Sequence, residues 1–180
     1  MKRREVLKQM AIAGAAAMLL PACVADPKKV SIALNNLKIT GDEEELLGNF
    51  AETLVPETDT PGAKTVGAHL FALVMVDDCS SQEEKEKYLK GLRAFDDTCK
   101  KITGKSFVKA TAEERTQILT TLQQKKETLA PEVKTFYEAS RGLILWGYTS
   151  SEHFLTNVKP YKLVPGPEYK GCVPVSQPNV

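Results

Sequence analysis

Four cysteines, two histidines and one pair of adjacent arginines are the residues of this 180-residue chain whose types and spacing invite chemistry. Arg3 and Arg4 precede Glu5-Val6-Leu7-Lys8, an apolar run from Met10 to Leu20, and then Pro21-Ala22-Cys23. A basic opening, a short apolar stretch and small residues before a break together read as an export signal. Eleven apolar residues are about half of the roughly 20 needed to span a bilayer as a helix, so the run reads as a signal core that is removed and not as a permanent span. The arginine pair with its following residues has the form of the twin-arginine export motif, whose machinery accepts folded cargo. Leu20-Pro21-Ala22-Cys23 has the form of a lipobox, although Pro21 is a less usual residue at its position. Cleavage before Cys23 would free an amine and leave a thiol for acylation. Each buried methylene adds about 0.8 kcal/mol, so more than one acyl chain on Cys23 would hold the protein at a membrane surface.

With Cys23 lipidated, Cys79, Cys99 and Cys172 remain in an oxidising compartment, and composition allows three pairings. Cys99 falls in an apolar helical stripe and reads as a small core residue. Cys79 at a helix end and Cys172 in an irregular tail are therefore the expected disulfide, which in the chain-entropy model would contribute about 4 kcal/mol. His153 follows Glu152, but neighbours on a helix point apart and no nucleophile accompanies them, so no catalytic residue is expected. A dinucleotide cradle needs Gly-x-Gly-x-x-Gly between strand and helix, and zinc or iron-sulfur ligation needs closely spaced Cys or His. The sequence contains neither pattern. No cofactor and no metal are expected in this chain.

The elements that must carry these residues are helical. Leu46, Leu47, Phe50, Ala51 and Leu54 recur on one helix face behind acidic Glu43, Glu44 and Glu45, and Pro56 ends the run. Asp59-Thr60-Pro61-Gly62 reads as a turn. Val66, Leu70, Phe71, Leu73, Val74, Met75 and Val76 are apolar on more than one side, which predicts a buried central helix stopping at Asp77-Asp78-Cys79. Ser81 with Glu84, and Thr111 with Glu114, are capping boxes opening a third and a fourth helix. The third carries the stripe Tyr88, Leu92, Phe95, Cys99, Ile102; the fourth turns Ile118, Leu119 and Leu122 inward. Pro131 opens a fifth helix with Val133, Phe136, Tyr137, Ser140, Leu143, Ile144 and Gly147 on one face, and Leu143-Ile144-Leu145-Trp146 needs burial from two sides, either within this domain or against another protein. Prolines and glycines from Pro160 onward exclude regular structure. The expectation is an all-α fold: a signal over 1–22, a lipidated N-terminus and tether over 23–41, and over 42–180 a single domain of about five helices with an irregular tail.

Charge adds little. Lys and Arg number 24 against 23 Asp and Glu, and removal of residues 1–22 leaves 20 basic and 22 acidic residues. Such a balance gives no basic footprint for nucleic acid.

Glu52-Thr53-Leu54-Val55-Pro56, Thr58-Asp59-Thr60-Pro61-Gly62-Ala63-Lys64, Asp78-Cys79, Gly147-Tyr148-Thr149-Ser150-Ser151-Glu152, Val164-Pro165-Gly166 and Gly171-Cys172-Val173-Pro174 together resemble the gluconate 2-dehydrogenase subunit 3 family over roughly residues 43–175. The resemblance implies a non-catalytic small subunit beside a large FAD-dependent oxidoreductase that oxidises a sugar, sugar acid or polyol, with a cytochrome c subunit carrying electrons onward. FAD is then expected in the partner. Cys79 and Cys172 fall in family motifs and Cys99 does not, which supports the same pairing. Twin-arginine export of a small helical protein fits if a folded, flavin-loaded partner travels with it to the periplasm. Leu145, Trp146 and Tyr148, with Val164 and Pro165 of the tail, are the expected contact with that partner. The competing expectation is a free-standing envelope lipoprotein that binds a small ligand or another envelope component.

Overall fold

The computed structural model describes residues 30–159, in which the ordered elements are helical. Five α-helices occur among them: α1 (Gly41–Leu54), α2 (Ala68–Cys79), α3 (Gln82–Thr103), α4 (Ala112–Gln124) and α5 (Pro131–Thr149). Short 3-10 turns at Phe107–Lys109 and Lys126–Thr128 and a π-helical turn at Phe154–Val158 complete the set.

The helix starts follow local chemistry. Ser81 and Thr111 each accept a hydrogen bond from the backbone amide three residues on, and Glu84 and Glu114 reach back to the cap amides. Thr40 and Glu43 make a third such box at the start of α1, which the sequence reading left unassigned. Gly104 ends α3 in the left-handed conformation, and Pro131 occupies the first turn of α5, where its missing amide costs no helical bond.

Helix α5 is central and packs most extensively on α3 and α2. The core is built around Phe50, Phe95, Phe107 and Phe136, all fully buried. Their rings meet in edge or tilted arrangements, with centroids 5.6 Å apart for Phe50–Phe95, 5.2 Å for Phe95–Phe107 and 5.3 Å for Phe95–Phe136. Burying each such ring contributes about 2–3 kcal/mol, so this cluster holds α1, α3 and α5 together around the turn at Phe107. The predicted inward faces of α3, α4 and α5 match: Tyr88, Leu92, Phe95, Cys99, Ile118, Leu119, Leu122, Val133, Phe136, Tyr137, Ser140 and Ile144 are buried. Buried Tyr88 and Ser140 satisfy each other at 2.9 Å.

Two expectations need correction. Helix α2 is not buried all round: Ala68, Ala72, Leu73 and Val76 face the core, but Val74 is 40 % exposed. Packing against α1 and α5 covers one side, and an all-apolar sequence carries no sign of which side is left over. Ile102 is also exposed, because the last turn of α3 runs past the core.

Candidate functional site

The carboxylate of Asp77, near the end of α2, accepts backbone amides from Asn35 (2.7 Å), Asn36 (2.8 Å) and Leu37. Asp77 is 2 % exposed. Burial pushes its pKa up, but the three amides and the charge of Lys85 outweigh burial and hold it below the ordinary carboxylate value. Upstream, the amide and hydroxyl of Ser31 donate to the Glu44 carboxylate on α1. Residues 30–37 are thereby fastened to two helices, and Leu37 is buried.

His69, in the first turn of α2, is buried with Nδ1 lacking a hydrogen-bond partner among the described residues. Burial lowers its pKa, Glu44 opposes that and Lys64 reinforces it, so the imidazole is held neutral near pH 7. Lys64 donates to the Asn49 side chain at 3.1 Å. The Asp59-Thr60-Pro61-Gly62 turn that precedes it is bound back to α1 by Ala63 N–H donating to the Val55 carbonyl at 2.9 Å, which makes this loop a structural brace.

A cavity of about 430 Å³ lies between the start of α1, the middle of α3 and residues 106–109. Arg93 in its wall pairs with Glu43 at 2.9 Å, and Lys100 with Asp96 at 3.0 Å, so these cations are already neutralised. Among the described residues no cluster of three or more His, Cys, Asp or Glu is placed to hold a metal ion, and no helix is long and apolar enough to cross a membrane.

The outer side of α2 and α5 has a different character. Trp146 is 53 % exposed, and its ring stands edge-on to Phe71 with centroids 5.3 Å apart. Gly147 permits this approach: a Cβ there would lie 2.8 Å from the Phe71 ring. Val74, one turn along α2, extends the apolar surface. Where α2 ends, a cavity of about 200 Å³ between it, α5 and the first turns of α3 is lined by Val76, Ser80, Glu84, Lys87, Tyr88, Thr135, Ala139 and Leu143.

The residues singled out in the sequence separate accordingly. Leu145 is half-buried and Trp146 is at the surface, whereas Tyr148 turns to the other side of α5, its hydroxyl donating to the Pro61 carbonyl at 3.4 Å and its ring 5.8 Å from Phe154. Cys79 is exposed at the end of α2, and Cys99 is buried, where burial and the Asp96 charge push its thiol well above the usual range and keep it protonated. Arg3, Arg4, Cys23, Val164, Pro165 and Cys172 lie outside the described residues. Phe71 and Val74 were missed as surface residues. Their neighbour Trp146 was the only available signal, through an apolar excess that one helix face cannot hide.

The fold and this surface define a small all-α module with an apolar patch exposed among the described residues. The gluconate 2-dehydrogenase subunit 3 family matches residues 41–166, from the first residue of α1 into the segment after α5, and the chain belongs to that family. A search of curated proteins and one of solved structures gave no match.

Proposed function

We propose that this chain is the accessory small subunit of an exported, flavin-dependent sugar, sugar-acid or polyol dehydrogenase complex, and that it assists export, assembly and stability of the catalytic flavoprotein. Family membership over 41–166 carries the reading. The exposed Trp146 supports it, because a large aromatic at a surface is the residue type that most often anchors an interface. In this reading FAD and the chemistry reside in the large subunit, and a cytochrome c subunit receives the electrons. Arg3 and Arg4 route the pair out of the cytoplasm, and acylated Cys23 fastens it to the membrane on the periplasmic side. Leu145, Trp146, Val164 and Pro165 form the contact, and Tyr148, on the other side of α5, supports it by holding the helix end to Pro61.

Co-expression with the large flavoprotein that this reading requires, followed by gentle detergent extraction and affinity purification through this chain, should recover a flavin-containing complex. Recovery of this chain alone would overturn the reading. In the purified pair, Trp146→Ala should weaken binding by at least roughly thirtyfold, since truncating a central anchor costs about 2 kcal/mol or more. The melting temperature of the isolated subunit should change little. Lost stability with unchanged affinity would assign Trp146 to the domain's own packing.

A further inference from the structure

His69 is buried in the first turn of α2, and nothing in the proposed function uses it. Its ring lies across α1 at Gly48: Cδ2 and Nε2 are each 3.5 Å from where a Cβ would stand, and Lys64 Cε is 3.3 Å from the same point. Glu44 precedes Gly48 by one turn, so its side chain leaves the same face of α1 about 6 Å away. Among the described residues the charges that act on the ring are Glu44 on α1 and Lys64 in the connection before α2.

Glu44 is also engaged outward. The Ser31 amide donates to Oε2 at 2.8 Å and the Ser31 hydroxyl to Oε1, both at the exposed surface. One carboxylate therefore stands between an exposed, uncharged partner and a buried ring. A neutral imidazole has one N–H and can leave its other nitrogen bare, and Nδ1 of His69 lacks a partner among the described residues. An imidazolium has two N–H donors and a charge, and a buried charge without an acceptor is costly. Lys64 repels such a charge and already holds the Asn49 side-chain oxygen at 3.1 Å, which leaves Glu44 as the acceptor of matching sign. Two full charges attract more strongly away from water than a carboxylate and a serine do at the surface, and the donors of Ser31 can pass to water.

We propose that His69 is a proton-operated latch for the N-terminal segment: with the ring neutral Glu44 holds Ser31, and with the ring protonated Glu44 turns inward to the imidazolium and releases it. The second attachment does not respond. Asp77 keeps its charge, because three amides and Lys85 hold it below the ordinary carboxylate value, and Asn35, Asn36 and Leu37 stay bound. Ile32 and Leu34, partly buried against the core, are then what holds the chain before Asn35. Burial keeps the folded ring neutral to a lower pH than the unfolded one, so the change sets in on acidification below the ordinary imidazole value of 6.5. The latch depends neither on the flavoprotein nor on the lipid anchor.

Proton–nitrogen NMR spectra of the isotope-labelled full-length chain, without the flavoprotein, follow the latch between about pH 8 and about pH 5. The His69 ring should titrate, and the Ser31 amide should move from its hydrogen-bonded position towards that of free chain with the same midpoint. The Asn35, Asn36 and Leu37 amides should stay in place. In His69→Gln the Ser31 amide should not move. Lys64→Met should raise the midpoint of the ring and Glu44→Gln should lower it, and these two variants decide if His69→Gln fails to fold. A ring still neutral at about pH 5, or a Ser31 amide that stays bound while the ring titrates, would overturn the proposal. So would a Ser31 amide that moves equally in folded His69→Gln, a midpoint indifferent to Lys64 and Glu44, or movement of all these amides together, which is unfolding of the domain.

Discussion

Asp77 shows how one side chain can organise a segment that has no periodicity of its own. Its folded pKa lies below the ordinary value, so the unfolded chain takes up the proton more readily than the native one. The stabilisation it gives is therefore complete above the unfolded pKa of about 3.9 and is lost as pH falls through the folded value. Asp77→Asn keeps the shape but removes the charge that three amides address. Urea unfolding at pH 7 should show a loss of about 2 kcal/mol, because hydrogen bonds to a buried charge are worth more than neutral ones. The gap to the native protein should narrow below about pH 4, and a gap of equal size at pH 3 and pH 7 would refute the clamp. Nothing in the sequence announced this role. Asp77 meets its partners 40 to 42 residues away, and its position at a helix end looked like an ordinary stop signal. The capping pairs Ser81–Glu84 and Thr111–Glu114 were legible because both partners lie within one turn.

Helices α3 and α5 come close together at Gly91. A Cβ at Gly91 would sit 2.4 Å from the Glu132 carbonyl oxygen and 2.6 Å from Phe136 Cβ, so a side chain there would push the two helices apart. Alanine is the better helix former by about 1 kcal/mol, but forcing atoms into a filled contact costs about 1–3 kcal/mol or more, and against backbone the upper figure applies. Gly91→Ala should lower the melting temperature by several degrees. Gly142 in α5 has nothing within 4 Å of its built Cβ, so Gly142→Ala should raise it. Thermal melts of the two variants should move in opposite directions; a shared direction would mean that propensity alone governs both sites. The stripes that built these helices could be read from spacing, since period and capping are local. The exposure of Val74 could not be read, because apolar residues meant for a core and apolar residues meant for a partner have the same composition.

At the scale of the whole chain, the family was legible in ordered motifs such as Thr58-Asp59-Thr60-Pro61-Gly62-Ala63-Lys64, and the match over 41–166 agrees with them. The structure gives that motif a bracing role between α1 and α2, which its conspicuous composition alone did not distinguish from a ligand loop. The paired arginines carry a prediction that involves two proteins. On the proposed reading, Arg3→Lys together with Arg4→Lys keeps the charge but loses the guanidinium geometry, so both this chain and the proposed flavoprotein partner should accumulate in the cytoplasm. Fractionation with antibodies to each checks this, and normal periplasmic delivery of both would assign export to another route. The fastening of residues 31–37 has a mechanical consequence. A pull on the N-terminal end first loads the Ser31–Glu44 bonds and then the three amides on Asp77, which act together and not one after another. Load therefore enters α1 through Glu44 and α2 through Asp77 before it follows the backbone to Thr40 and the start of α1. A jolt at a surface would thus be taken up by a strain relief, as at the collar of a cable, while the aromatic core beneath keeps its register.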